Sequence, residues 1–313
     1  MKKIIISTAA CAALALGAAA CGGNDNNSSS GSGGGELSGN IRIDGSSTVA
    51  PFAQAAQEAF QGANPGVKIT VGTSGTGGGF EKFCAGETDI SDASRPIKPD
   101  EEATVCKKAG IDYREIQVAN DGIAVVTNPE LKVDCLTTDQ LKQLWNKGSK
   151  VKSLSEIDPK LPDTTLSLFG PGTDSGTFDF FTGEINGEEG VSRDDYQPSE
   201  DDNILVQGVA GEPGGLGYFG HSYYEQNKDK LNLVKVDGGD GCVEPTVDTI
   251  QSGEYKPLAR PLFMYPSTKA LKRPEVKAFL AYVVDNYQDI ADASQIVAMD
   301  DTQASKAKAA LGG

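Results

Sequence analysis

Three times along this chain a short alternating apolar segment runs into a turn of glycines and hydroxyls and then into an apolar helical face. This unit constrains the fold more than any other feature. Alternation at period two marks a strand, and spacing near 3.6 marks the helix that follows. Ile41-Arg42-Ile43 alternates, Asp44-Gly45-Ser46-Ser47-Thr48 turns, and Val49, Phe52, Ala56, Ala59 and Phe60 fall near helical spacing. Val67-Lys68-Ile69-Thr70-Val71 alternates next. Gly72-Thr73-Ser74-Gly75-Thr76-Gly77-Gly78-Gly79-Phe80 then leads into a face carrying Phe80, Phe83 and Cys84. Leu166-Ser167-Leu168-Phe169 passes through Gly170 to Ser175 into Phe178, Phe181 and Thr182. Glycine at such density costs conformational entropy and is kept where a backbone turns tightly or approaches a ligand, so the stretch at 72–80 reads as a turn and not a linker. Helix starts leave N–H groups unpaired and carry partial positive charge, so three such turns suit an anion without any formal cation.

The remainder reads as α/β. The pattern predicts a helix over Pro99 to Ala109, strands over Tyr113 to Val118 and Ile123 to Val126, and a strand or turn at Leu216-Gly217-Tyr218-Phe219. Thr137-Thr138-Asp139-Gln140 offers a capping box for a helix carrying Leu141, Leu144 and Trp145, with Trp145 read as core. Pro274 opens a long helix with Val276, Phe279, Leu280, Val283 and Tyr287 on one face.

Lys2 and Lys3 precede an apolar run from Ile4 to Ala20 that ends in Ala18-Ala19-Ala20-Cys21, and this resembles a bacterial lipoprotein signal cut before a lipidated Cys21. An ordinary secretory signal is the alternative; a spanning helix fits poorly, because the run is short and alanine-rich. Residues 21–39 are chiefly Gly, Ser and Asn and read as a flexible tether behind a lipid anchor. The rest is long enough for two domains. The chain carries a net charge of −16, more negative once Lys2 and Lys3 are removed, which argues against nucleic acid but not against a small anion held by local dipoles. Four cysteines remain beyond Cys11 and Cys21; in an exported chain they are expected as disulfides. Of the three pairings, Cys84–Cys106 with Cys135–Cys242 is favoured, since the first closes a short loop and the second stays within one domain. No CxxC occurs and His221 is the only histidine, so neither a metal site nor a cofactor is expected.

Motif chemistry narrows the function. The glycine turn lacks the Gly-Lys-Ser/Thr ending of a nucleotide P-loop. A hydrolase built on Ser175 or Ser46 would need His221 as its base. What remains is specific: Asp44-Gly45-Ser46-Ser47-Thr48-Val49, Gly75-Thr76-Gly77-Gly78-Gly79-Phe80, Asp89-Ile90-Ser91-Asp92-Ala93-Ser94-Arg95-Pro96-Ile97 and Gly172-Thr173-Asp174-Ser175-Gly176-Thr177-Phe178, in that order and spacing. Together they resemble the phosphate-binding lipoproteins of the ABC phosphate-uptake system, from about Ile41 to near Tyr287.

The resemblance implies a two-lobed type II periplasmic-binding-protein fold of α/β class with the ligand cleft between the lobes. It implies a first lobe of 40–121 plus 260–313, a second of 122–259, and a monomer that hands inorganic phosphate to an ABC permease without catalysis. Carried over by position, the expected ligand set is Ser47, Thr48, Val49, Thr76, Gly77, Ser94, Arg95, Asp174, Ser175, Gly176 and Thr177. Two departures stand out. Relatives often carry an aspartate where Ser94 stands and an arginine where Pro171 stands. Arg95 is therefore expected to supply the cation, pairing with a lobe carboxylate being the alternative. Asp44, Asp121 and Asp174 are candidates for accepting the phosphate proton, with Asp174 equally suited to cap a helix. Sulfate or molybdate would also suit hydroxyl-and-glycine loops.

Overall fold

The computed structural model describes residues 37–100, 102–173 and 175–312; the expected signal at 1–20 and Cys21 lie outside them. The chain begins β1 (Gly39–Gly45), α1 (Ala50–Ala63), β2 (Val67–Gly72), α2 (Gly75–Cys84), β3 (Ile90–Ala93), α3 (Glu102–Lys108) and β4 (Ile116–Thr127). It continues β5 (Cys135–Thr137), α4 (Thr138–Trp145), β6 (Ser167–Pro171), α5 (Gly176–Phe181), β7 (Gln197–Ser199), α6 (Asp202–Gly211), β8 (Gly215–Gly220), α7 (His221–Glu225), β9 (Asn232–Asp237), β10 (Cys242–Val243) and α8 (Val247–Gln251). It ends β11 (Ala259–Pro266), α9 (Pro274–Asp285), α10 (Tyr287–Ser294) and α11 (Asp301–Gly312). The three strand–turn–helix units of the sequence are β1–α1, β2–α2 and β6–α5.

Strand order is β2-β1-β3-β11-β4-β8-β6-β7, with β9 pairing β4, β5 and β10. β1 lies parallel to β2 and β3, so their carboxyl ends and the loops that follow share one edge. β6 lies parallel to β8 in the other half. Ligands of open α/β sheets collect at such carboxyl ends. The spacing predicted two strands within 113–126, whereas one twelve-residue strand, β4, runs through. Its first half pairs with β11 through Gly122, and its second half pairs with β8 from Ile123. The polar Asn120-Asp121 interrupts the apolar pattern because here the strand leaves one core and enters the next.

Those cores are distinct. Ile41, Ile43, Phe52, Phe60, Met264, Phe279 and Leu280 belong to the first. Leu141, Leu144, Trp145, Phe181, Tyr218 and Val234 belong to the second. Val297, from the C-terminal stretch, packs into the second core and pairs with Asn120, so that stretch serves both halves. On α1 the inward face carries Ala53, while Ala59, expected inside, is exposed, the helix being rotated slightly from the expected phase. Leu37 packs on the first core and β1 starts at Gly39, so both fall within the stretch expected as tether. Trp145 is fully buried and meets Phe181, Tyr196 and Tyr218 edge-on, contacts each worth about 0.5–1.5 kcal/mol beyond burial. Thr137 accepts from Gln140 N while Gln140 accepts from Thr137 N, the reciprocal cap of α4. Cys84 is bonded to Cys106, and Cys135 to Cys242.

Asp92, on β3, is wholly buried, and neither carboxyl oxygen has a hydrogen-bond partner among the described residues. Burial, and then the charge of Asp44, push its carboxyl well above the ordinary range. Below about pH 4 folded and unfolded chains both hold this proton, and the group is neutral for stability. Above that only the unfolded chain releases it, so stability is lost progressively as pH rises. Thermal melts of Asp92→Asn should therefore gain on the parent between pH 5 and pH 8; a constant difference would show that Asp92 ionises in the fold.

Candidate functional site

The loops after β1, β2 and β3 and the start of α5 surround a cleft of about 520 Å³. Asp44 organises the first two. Its carboxylate accepts from Ser74 N at 3.1 Å, from Ser74 Oγ, and from Lys82 Nζ at 2.8 Å. Burial alone would raise this carboxyl, but the hydrogen bonds from Lys82 and Ser74 outweigh it and hold the group ionised below its usual range. The glycine turn is thus pinned to the end of β1. Gly75 opens α2 at φ +78°, a conformation that a side chain disfavours. Thr76 Oγ1 lies 3.0 Å from Ser94 Oγ and accepts from Ser94 N at 3.2 Å, tying the second loop to the third.

The cation at the centre comes from elsewhere. Arg260, at the start of β11, stands opposite Asp121 of β4 in the register of the crossing strands. Its Nε donates to Asp121 Oδ2 at 3.3 Å, Nη1 to Ser94 Oγ at 3.1 Å, and Nη2 to Thr48 Oγ1 at 2.8 Å and Gly176 O at 3.3 Å. The guanidinium lies 3.6 Å over the Phe180 ring. Burial pulls its pKa down and Asp121 pushes it back. One side chain thus touches the first loop, the third loop, the hinge strand and α5.

The expected ligand residues divide accordingly. Ser47, Thr48, Thr76, Gly77, Ser94, Arg95 and Gly176 line this cleft. Ser175 and Thr177 line an adjoining cavity of about 270 Å³, shared with Ser47, Thr48 and Gly176. Val49 turns its side chain into the first core, leaving only its main chain near the loop. Asp174 lies outside the described residues; α5 is capped by Ser175, whose Oγ accepts from Thr177 N.

Arg95 lines the cleft and also takes the alternative expected of it, a lobe carboxylate. Its guanidinium forks onto Glu102, Nη2 to Oε1 at 2.6 Å and Nη1 to Oε2 at 3.1 Å, so its charge is matched at the cleft margin. The guanidinium among the hydroxyls is that of Arg260. The sequence signal for it is slight: a polar pair, Asn120-Asp121, and a lone Arg in an apolar run, Ala259 to Pro266, which become partners only through antiparallel register. Asp44 and Asp121, candidates for taking a ligand proton, are both engaged by cations. The carboxylates that do line the cleft are Asp179 and Glu189. Burial, then Glu189, raise Asp179, against the pull of Arg260. His221 is buried on α7, is hydrogen-bonded to the Pro245 backbone, and lines neither the cleft nor the adjoining cavity that holds Ser175.

A cleft between two α/β lobes, lined by loop hydroxyls, helix starts and one buried guanidinium, defines a binding protein for a small oxyanion. The chain belongs to the PBP superfamily, whose domain model matches residues 30–286. It is 45% identical over 249 residues to the protein SphX of Synechococcus elongatus, covering 79% of this chain and 73% of that protein. It is 41% identical over 268 residues to the phosphate-binding protein PstS of Staphylococcus saprophyticus, covering 85% and 82%. Among solved structures, a possible phosphate binding protein from Planctomyces limnophilus superposes with a TM-score of 0.83 at 47% identity, over 88% of this chain and 98% of that one.

The lobes meet closely at Gly176, where an added Cβ would lie 2.3 Å from Thr48 Oγ1 and 2.7 Å from Ser47 Oγ. Gly176→Ala should oppose closure by about 1–3 kcal/mol, the usual cost of overpacking. Small-angle scattering should then give a larger radius of gyration than the parent, and an unchanged value would show that the contact does not limit closure.

Proposed function

We propose that this protein binds inorganic phosphate in the interlobe cleft and delivers it to an ABC permease, without catalysis. The observation that carries the reading is Arg260, buried, paired to Asp121 and aimed at Thr48 and Ser94, hydroxyls that would exchange its bonds for those of an anion. A fork of N–H donors matches a tetrahedral oxyanion in geometry as well as charge. PstS relatives named as phosphate-binding support the same reading. The proposed ligand set is Ser47, Thr48, Val49, Thr76, Gly77, Ser94, Asp174, Ser175, Gly176 and Thr177, with Arg260 as cation. The lobes are proposed as 40–121 plus 260–313 and 122–259. The chain is read as exported, held by a lipid on Cys21 to the outer face of the membrane, and monomeric.

Calorimetric titration tests the reading. Phosphate should bind saturably. Arg260→Lys keeps the charge but loses the fork, and should weaken phosphate binding at least tenfold, about 1.4 kcal/mol. Arg95→Ala should change affinity less than threefold, about 0.6 kcal/mol; the reverse order would return the central role to Arg95.

Another tetrahedral oxyanion is the second reading, and Asp179 bears on it. A carboxylate facing the cleft favours a ligand with a proton to donate and repels sulfate. Asp179→Asn should narrow the gap between phosphate and sulfate affinities by tenfold or more in competition titrations. An unchanged ratio would take Asp179 out of the discrimination.

A further inference from the structure

Arg260 poses an electrostatic problem. A guanidinium that is only 14% exposed needs compensation for lost water, yet a second carboxylate bonded to it would neutralise the charge that an anion requires. Its edge is used by Asp121, Ser94, Thr48 and the Gly176 carbonyl. Its face rests on Phe180, with Cζ 3.6 Å from the ring centroid, well inside the range at which the negative face of an aromatic ring attracts a cation. Phe180 itself is buried, and it belongs to the second core along with Phe181 and Tyr218. The ring therefore comes from the half of the molecule opposite Thr48 and Ser94.

We propose that Phe180 is a positioning residue for Arg260, and that it couples lobe closure to presentation of the positive charge. The ring compensates the buried guanidinium without supplying a counter-charge, and it holds the plane so that both Nη groups point at the hydroxyl loops. Since the ring rides on α5 next to Gly176, closing the lobes and seating the cation are one event. Opening them would leave Arg260 with Asp121 and the loops of its own side, free to rehydrate. Affinity then depends on the electronic character of residue 180 as well as on its size. This inference rests on the phosphate reading for its affinity measurement.

The test replaces the phenylalanine at position 180 of the full-length protein with mono-, di- and trifluorinated analogues. These keep nearly the same volume while draining the negative face of the ring. Phosphate affinity should fall stepwise, to about tenfold weaker with three fluorines. Phe180→Tyr and Phe180→Trp should remain within about threefold of the parent, and Phe180→Leu should lose about tenfold, mostly through faster dissociation. A flat fluorinated series, or losses that follow side-chain volume alone, would overturn the proposal and leave Phe180 as packing. A ligand-free measurement separates this from failure of the phosphate reading: hydrogen exchange of the Arg260 Nε–H, followed by NMR. Exchange should quicken along the fluorinated series even if phosphate does not bind. Unchanged exchange in a phosphate-binding protein would overturn the positioning role while the functional reading stands.

Discussion

The pairing of Arg260 with Asp121 is the interaction on which the rest of the site depends. It joins the two strands that pass between the halves of the molecule, β11 and β4, at the point where both change cores. A buried ion pair gains little net stability over apolar packing, because desolvation offsets most of the attraction. Its value here is positional. With Nε committed to Asp121, the two Nη groups project toward Ser94, Thr48 and Gly176. The cation is thus mounted on the hinge and reaches loops from both sides.

The loops around it are organised by a second set of polar contacts. Asp44 holds Ser74 and Lys82, which fixes the glycine turn relative to β1; Ser46 N donates to Asp92 O, which fixes β1's loop relative to β3. Each bond is local to one lobe. At the cleft the contacts that span the lobes are Gly176 against Thr48, Arg260 to the Gly176 carbonyl, and the guanidinium on Phe180; away from it Gln251 bonds to Ala298 and Gln303, Gln226 bonds to Gln295, and Val297 packs into the second core. Rigid loops within each lobe and a small set of contacts between them are what a closing cleft requires. In hinge closure, loops braced within one lobe keep their donor geometry as the lobes move.

The acidity of the chain fits this design. With net charge −16 the chain as a whole gives an anion no long-range attraction, and at the cleft itself Asp179 and Glu189 are set against Arg95, Lys98 and Arg260. Recognition has to come from donors at hydrogen-bond range, each worth more in a low-dielectric cleft than in solvent. The disulfides leave this geometry free, since Cys84–Cys106 links α2 to α3 and Cys135–Cys242 links β5 to β10, each within one half.

Much of this was legible in the sequence because it is local. Period-two and 3.6-residue patterns placed β1–α1, β2–α2 and β6–α5; the capping box of α4 and the core position of Trp145 followed from residues within a few positions of each other. Glycine and hydroxyl turns marked Thr48, Thr76 and Gly176 as residues at helix starts, and the resemblance to phosphate-binding lipoproteins marked Ser94. The cation was not legible in this way. Arg95 sits beside Ser94 in sequence, but Glu102, one helical entry further on, takes its charge. Arg260 is remote in sequence from every loop it serves, and it arrives there only because β11 returns antiparallel to β4. Likewise the Asn120-Asp121 break looked like a gap between two strands and is the crossing point of one. Local propensity and spacing determined the elements and the chemistry of the turns. Strand register and the meeting of the two lobes decided which charge those turns surround, because register is set by pairings between segments far apart in the chain.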